Sequence, residues 1–178
     1  TFFEDDQLDA SVSPAARQNP NYVKARGRIT GADQFDASFF KMSPREAQIM
    51  DPQHRLFLEL AWAALEDAGY TNDFKGLIGV YGGAGFNSYY KHHVAPAQDL
   101  IEMFGEHATD LANAPDYFST RVSYKLNLSG PSLSIFTGCS TSLVAVCQAC
   151  DSLLSSCCDL ALAGGSVVQC PLDAGYFY

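Results

Sequence analysis

Positive charge is scarce in this 178-residue chain: 11 Lys and Arg residues stand against 20 Asp and Glu, a formal net charge of −9. Nucleic acids and anionic membrane surfaces are held through basic footprints, so both are excluded as main partners. An acidic partner would need a local basic patch. Lys24-Ala-Arg26-Gly-Arg28, with Lys41 and Arg45 further on, is the candidate, and a solvated charged loop is the plainer reading. Also missing is any apolar run near the roughly 18 residues of a membrane-spanning helix, and no basic-then-apolar signal segment opens the chain. The expected compartment is the cytoplasm. There is no initiating Met, and the chain stops at Gly175-Tyr-Phe-Tyr178 inside an aromatic, strand-like stretch, so a piece of a longer protein is expected.

Cysteine is present but badly placed for cross-linking. All six, at 139, 147, 150, 157, 158 and 170, lie in the last part of the chain, and three fall within one predicted helix. Without a secretory signal, disulfides are not expected. Cys147-Gln-Ala-Cys150 has the spacing of a metal or redox pair, yet it sits inside a helical period and not on a knuckle turn or at a helix start. Small buried thiols on a core face are the better account, and no metal is expected.

What is present points to a layered α/β domain. Residues 1 to 40 are broken by Pro14, Pro20, Gly27 and Gly31 and read as irregular. Ser43-Pro-Arg-Glu46 is a capping box that opens a short helix. Asp51-Pro52 caps a second, in which Phe57, Leu60, Ala61, Ala64, Leu65 and Ala68 keep helical spacing until Gly69 stops it. A buried strand is predicted over 76 to 83. Its Gly82-Gly-Ala-Gly85 tail lacks the GxGxxG spacing of a dinucleotide loop. Further helices are predicted over 96 to 104 and from Asn113 to about Lys125. A strand at 132 to 137, a helix from 139 to about 155 and a strand at 159 to 168 complete the alternation.

Cys139 stands at the junction of that strand and helix, in Thr137-Gly-Cys-Ser-Thr-Ser-Leu143. The first turn of a helix offers unpaired amide hydrogens and the positive end of the helix dipole, which favour a thiolate and can help hold an oxyanion. This is the logic of a nucleophile elbow. The hydrolase pattern G-x-S-x-G is absent, because Ser142 stands at the second glycine, and Ser140 is the weaker nucleophile candidate. From the local pattern alone, Cys139 reads equally well as a nucleophile or as a small residue in a tight turn.

Longer motifs decide between these. Met50-Asp-Pro-Gln-His-Arg-Leu-Phe-Leu-Glu-Leu-Ala-Trp-Ala-Ala-Leu-Glu-Asp-Ala-Gly69, Thr120-Arg-Val-Ser-Tyr-Lys-Leu-Asn-Leu-Ser-Gly-Pro-Ser132 and the segment around Cys139 together resemble the β-ketoacyl synthase domain of modular type I polyketide synthases. Ser38-Phe-Phe-Lys-Met-Ser-Pro-Arg-Glu46 and Asp159-Leu-Ala-Leu-Ala-Gly-Gly165 resemble the same family. Across residues 1 to 178 the resemblance implies a partial domain, the first half of a thiolase-type αβαβα body, usually dimeric, with the strand at 132 to 137 near the twofold axis. Cys139 matches the family's acyl-accepting cysteine.

The implied chemistry moves an acyl chain from the phosphopantetheine of an acyl carrier protein to Cys139, then condenses it with a decarboxylated malonyl-type extender. No cofactor is bound directly, and other synthase domains are expected neighbours. The two histidines that the family uses lie well downstream of the cysteine, whereas His54, His92, His93 and His107 all precede it. His54 reads as structural and the His92-His93 pair as part of a loop. Many members carry Thr-Ala-Cys-Ser-Ser-Ser-Leu where this chain has Gly138 and Thr141, which suits an elbow with a different acyl preference. Gly175-Tyr-Phe-Tyr178 resembles ketosynthases of hybrid peptide–polyketide lines. Two other readings share the cysteine: a non-elongating module that binds and passes on acyl carriers, and a fatty-acid synthase ketosynthase.

Overall fold

The computed structural model describes residues 1–70 and 74–178. In chain order the elements are α1 (Pro14–Arg17), β1 (Tyr22–Val23), α2 (Pro44–Ile49), α3 (Pro52–Asp67), β2 (Ile78–Ala84), α4 (Gln98–Phe104), α5 (Glu106–Asn113), α6 (Phe118–Leu126), β3 (Ser132–Ser134), α7 (Thr141–Leu154), β4 (Leu160–Ser166) and β5 (Tyr176–Phe177). A π-helical turn covers Tyr90–Val94, and 3₁₀ turns cover Pro115–Tyr117 and Gly138–Ser140.

The signalled helix starts form as the side chains dictate. Ser43 Oγ accepts from the Glu46 amide at 3.1 Å, and Asp51 Oδ1 accepts from the Gln53 amide at 2.9 Å. Each such cap is worth about 1 kcal/mol. Gly69, at φ +77°, ends α3 as expected. The element ends differ by a few residues. The strand expected over 132 to 137 pairs only through Ser134, and α7 begins at Thr141, so Cys139 lies in the 3₁₀ turn before the helix and not in its first turn. Helix α5 is not signalled by the sequence, because its N-cap is Gly105, with no capping side chain. The His92-His93 pair, expected in a loop, sits in the π-helical turn, and the irregular first 40 residues hold the short α1 and β1.

Three parallel strands, in the order β3-β2-β4, form the central sheet. Alternation along β2 sends Val80 to one face and Tyr81 to the other. On the first face Val80 joins Met50, Phe57 and Leu58 with Phe118 and Val122 of α6 in the main core. Burying one such large side chain contributes about 1.5–3 kcal/mol. On the second face Tyr81 packs on Ala145 and Ala149 of α7, and its hydroxyl hydrogen-bonds Ser152. The result is a helix–sheet–helix sandwich, α3 and α6 on one side and α7 on the other. It forms the first layers of the expected αβαβα body.

A second, two-stranded sheet joins the ends of the chain: β1 runs antiparallel to β5. Arg26 explains why. Its two terminal nitrogens donate to the carbonyls of Pro171 and Gly175, both at 2.9 Å. Arg28 Nη1 lies 3.1 Å from Asp173 Oδ1, an ion pair without a well-directed hydrogen bond, and Lys24 pairs with Asp5. The basic cluster considered as a docking patch is therefore engaged within the chain.

Candidate active site

The carboxyl ends of β2, β3 and β4 lie at one edge of the sheet, the edge at which open parallel sheets place their ligands. After β3 the chain continues through Ile135, whose amide donates to Gly82 O at 2.8 Å, and then turns sharply. Gly138 takes φ +65°, a left-handed conformation that costs a residue with a Cβ about 1–2 kcal/mol. Two hydroxyls lock the turn through three hydrogen bonds. Thr141 Oγ1 accepts from the Thr137 amide at 3.0 Å and donates to Gly138 O at 2.9 Å, while Ser140 Oγ donates to Thr137 O at 2.9 Å. Cys139 is held exposed at the crest of this turn, immediately before α7.

The turn fits against the sheet because its neighbours lack side chains. A Cβ on Gly83 would fall 1.9 Å from Ile135 O and 2.6 Å from Thr141 Cγ2, and one on Gly165 would fall 3.1 Å from Ser142 Oγ. Gly83 and Gly165 thus make room for the elbow.

A family model described as the β-ketoacyl synthase N-terminal domain matches residues 1–177. The chain belongs to that family. Among ketosynthase relatives, it is 46% identical over 184 residues to a phenolphthiocerol/phthiocerol polyketide synthase protein from Mycobacterium tuberculosis, covering 99% of this chain and 12% of the relative. It is also 46% identical over 154 residues to the polyketide synthase PksN of Bacillus subtilis, covering 85% of this chain and 3% of the relative. Ketosynthase twelve of the Bacillus amyloliquefaciens bacillaene synthase superposes with a TM-score of 0.81 at 36% identity, covering 100% of this chain and 31% of that one. The oxazolomycin ketosynthase domain of Streptomyces albus gives 0.74 at 32% identity, covering 97% and 30%. The thiolase-like α/β fold is thereby established, and the chain spans about a third of the solved ketosynthase chains.

The other sequence candidates are dispersed. His54 is buried, edge-on to Phe118 with ring centroids 5.1 Å apart, and burial together with nearby Arg121 pushes it down to about 3. Among the described residues its Nδ1 has no hydrogen-bond partner. It lines a cavity of about 360 Å³ that also includes Asp51, Phe86, Asn113 and Phe136. This buried, neutral imidazole fits a structural role. His92, His93 and His107 are exposed, and among the described residues no three metal-ligating side chains gather. Of the thiols expected on a core face only Cys158 and Cys170 are buried; Cys147, Cys150 and Cys157 are exposed, so exposure alone does not single out Cys139.

A cavity of about 790 Å³ lies between Arg55, Tyr89 and Cys170, and Cys139 is not among its lining residues. Burial lowers the Arg55 guanidinium and raises the Cys170 thiol. Among the described residues no helix is long and apolar enough to cross a membrane.

Proposed function

We infer that the chain is the nucleophile-bearing part of a polyketide ketosynthase, with Cys139 as the acyl-accepting residue. One observation carries this reading: in a chain of this family, an exposed cysteine crowns a glycine turn at the carboxyl edge of a parallel sheet. The Cys139 thiolate attacks the thioester carbonyl of an acyl chain held on the phosphopantetheine of an acyl carrier protein. The carrier thiol leaves and takes a proton. Loss of carbon dioxide from a malonyl-type extender on a second carrier gives an enolate, whose carbon attacks the Cys139 thioester and expels the thiolate. Two histidines beyond residue 178 would assist decarboxylation and steady the developing negative charge. A homodimer built near β3, a cytoplasmic setting and neighbouring synthase domains belong to the same reading.

The test uses the complete condensing domain. Incubation with an acyl thioester should add one acyl mass to Cys139, and Cys139→Ala should abolish both that adduct and malonyl-dependent release of carbon dioxide. Acylation persisting in the Cys139→Ala variant would overturn the assignment. Retained acylation without carbon dioxide release would favour the non-elongating module.

A further inference from the structure

Gln53 has a place in this site that no motif for nucleophilic chemistry assigns to it. It is fully buried in the first turn of α3, on the opposite side of the sheet from α7. Its side-chain amide clasps the backbone of Gly85: Oε1 accepts from the Gly85 amide at 2.9 Å and Nε2 donates to the Gly85 carbonyl at 3.3 Å. The same Oε1 accepts from the Val168 amide at 3.4 Å, and the Gln53 carbonyl accepts from Ser166 Oγ at 2.8 Å. Nε2 also donates to Asp51 Oδ2 at 2.9 Å, which fixes the orientation of the amide. One side chain therefore ties together the exits of β2 and β4. Those exits support the elbow, since Gly83 and Gly165, two and three residues upstream of the clasped backbone of Gly85 and Val168, lie against Ile135, Thr141 and Ser142.

We propose that Gln53 is a positioning residue for acyl transfer, holding the ends of β2 and β4 in register so that they fix the turn that presents Cys139. The proposal rests on the reading of Cys139 as the acyl acceptor. It assigns Gln53 no contact with substrate. A side chain that serves both strand exits at once acts through them on the elbow, and its loss should slow the reaction step without weakening substrate capture.

The experiment measures acylation of Cys139 in the complete domain by a small acyl thioester, from pH 5.5 to 8.5, at a temperature where every variant is folded. Gln53→Glu keeps the acceptors and loses the donor while ionised; when protonated it regains one donor towards Asp51. Burial beside Asp51 makes the new carboxyl hold its proton more tightly. The titratable groups nearby are Asp51, His54 and Arg55 on α3 or its cap, with Tyr89 and Cys170 of the adjoining segments in electrostatic reach of Asp51, while the strand exits contribute Gly85, Ser166 and Val168, which do not titrate.

Gln53→Glu should be slowed about tenfold at the alkaline end, the equivalent of one lost hydrogen bond. Its ratio to wild type should rise towards unity as the pH falls, with an unchanged half-saturating thioester concentration. Gln53→Met should be slow at every pH. Ser166→Ala, which removes the hydroxyl's bond to the Gln53 carbonyl and leaves the side-chain bonds to Gly85 and Val168, should be slowed about threefold and serves if the Gln53 variants do not fold. A Gln53→Glu ratio that stays flat with pH, or wild-type rates in Gln53→Met or Ser166→Ala, would overturn the proposal. Failure of the wild-type domain to acylate Cys139 would instead overturn the reading on which it rests.

Discussion

His54 shows what a single buried residue does to the whole stability curve. Folded, it is held at about 3 against an ordinary value of 6.5, first by burial and then by Arg121. Between those values the unfolded chain binds a proton that the folded chain refuses. Its contribution is complete above about pH 6.5 and is lost as the pH falls towards 3, by on the order of 1 kcal/mol per pH unit. Asp51 works the other way: burial raises its carboxyl, so its contribution grows as the pH falls. The readout is therefore the difference between wild type and His54→Gln. Urea midpoints of the complete domain from pH 7 to 4.5 should fall more steeply for wild type, and parallel slopes would refute this account. At this scale the sequence was informative about chemistry and poor on packing. The tight turn at Cys139 was legible in its motif, and the burial of His54 fits its structural reading, whereas the roles of Gln53 and Arg26 depend on partners 32 and 145 positions away in the chain.

At the scale of elements, two glycines beside the same elbow should behave differently. Gly83→Ala would drive its Cβ into the Ile135 carbonyl at 1.9 Å, a backbone contact that cannot rotate away. It should destabilise the complete domain by about 3 kcal/mol and reduce Cys139 acylation. Gly138→Ala meets nothing within 4 Å, and only its φ of +65° resists it. A loss of about 1–2 kcal/mol is expected there. Denaturant titration of the two variants would check the order, and equal losses would contradict it. The same contrast explains which element boundaries could be read. Helices α2 and α3 carry their own caps in Ser43 and Asp51, so their starts are written locally. Strand β3 ends where the chain turns away from β2 after the Ile135 amide bonds Gly82, and α5 has no capping side chain, so neither boundary has a local signal.

For the whole molecule, the Arg26 clasp implies that the basic cluster serves folding before it serves any partner. Arg26→Ala should cost on the order of 2 kcal/mol by removing two charge-assisted hydrogen bonds. Acyl loading from a carrier protein and from a small thioester should fall by equal factors; a salt-sensitive loss confined to the carrier would return the cluster to a docking role. Residues 1–178 expressed alone should release no carbon dioxide above a Cys139→Ala control, and turnover by them would require one of the four upstream histidines to act. Helix α7 shows why such a piece should also be poorly behaved. It gives its alanines to the sheet and leaves Leu143, Val146, Leu153 and Leu154 exposed, an apolar stripe that the second half of a thiolase-type body would cover. How long deuterium takes to replace the amide hydrogens of α7 therefore reports on that cover. Exchange should be complete within minutes in the isolated piece and protected for hours in the assembled domain, so that this one helix times the moment at which the support beneath Cys139 becomes rigid.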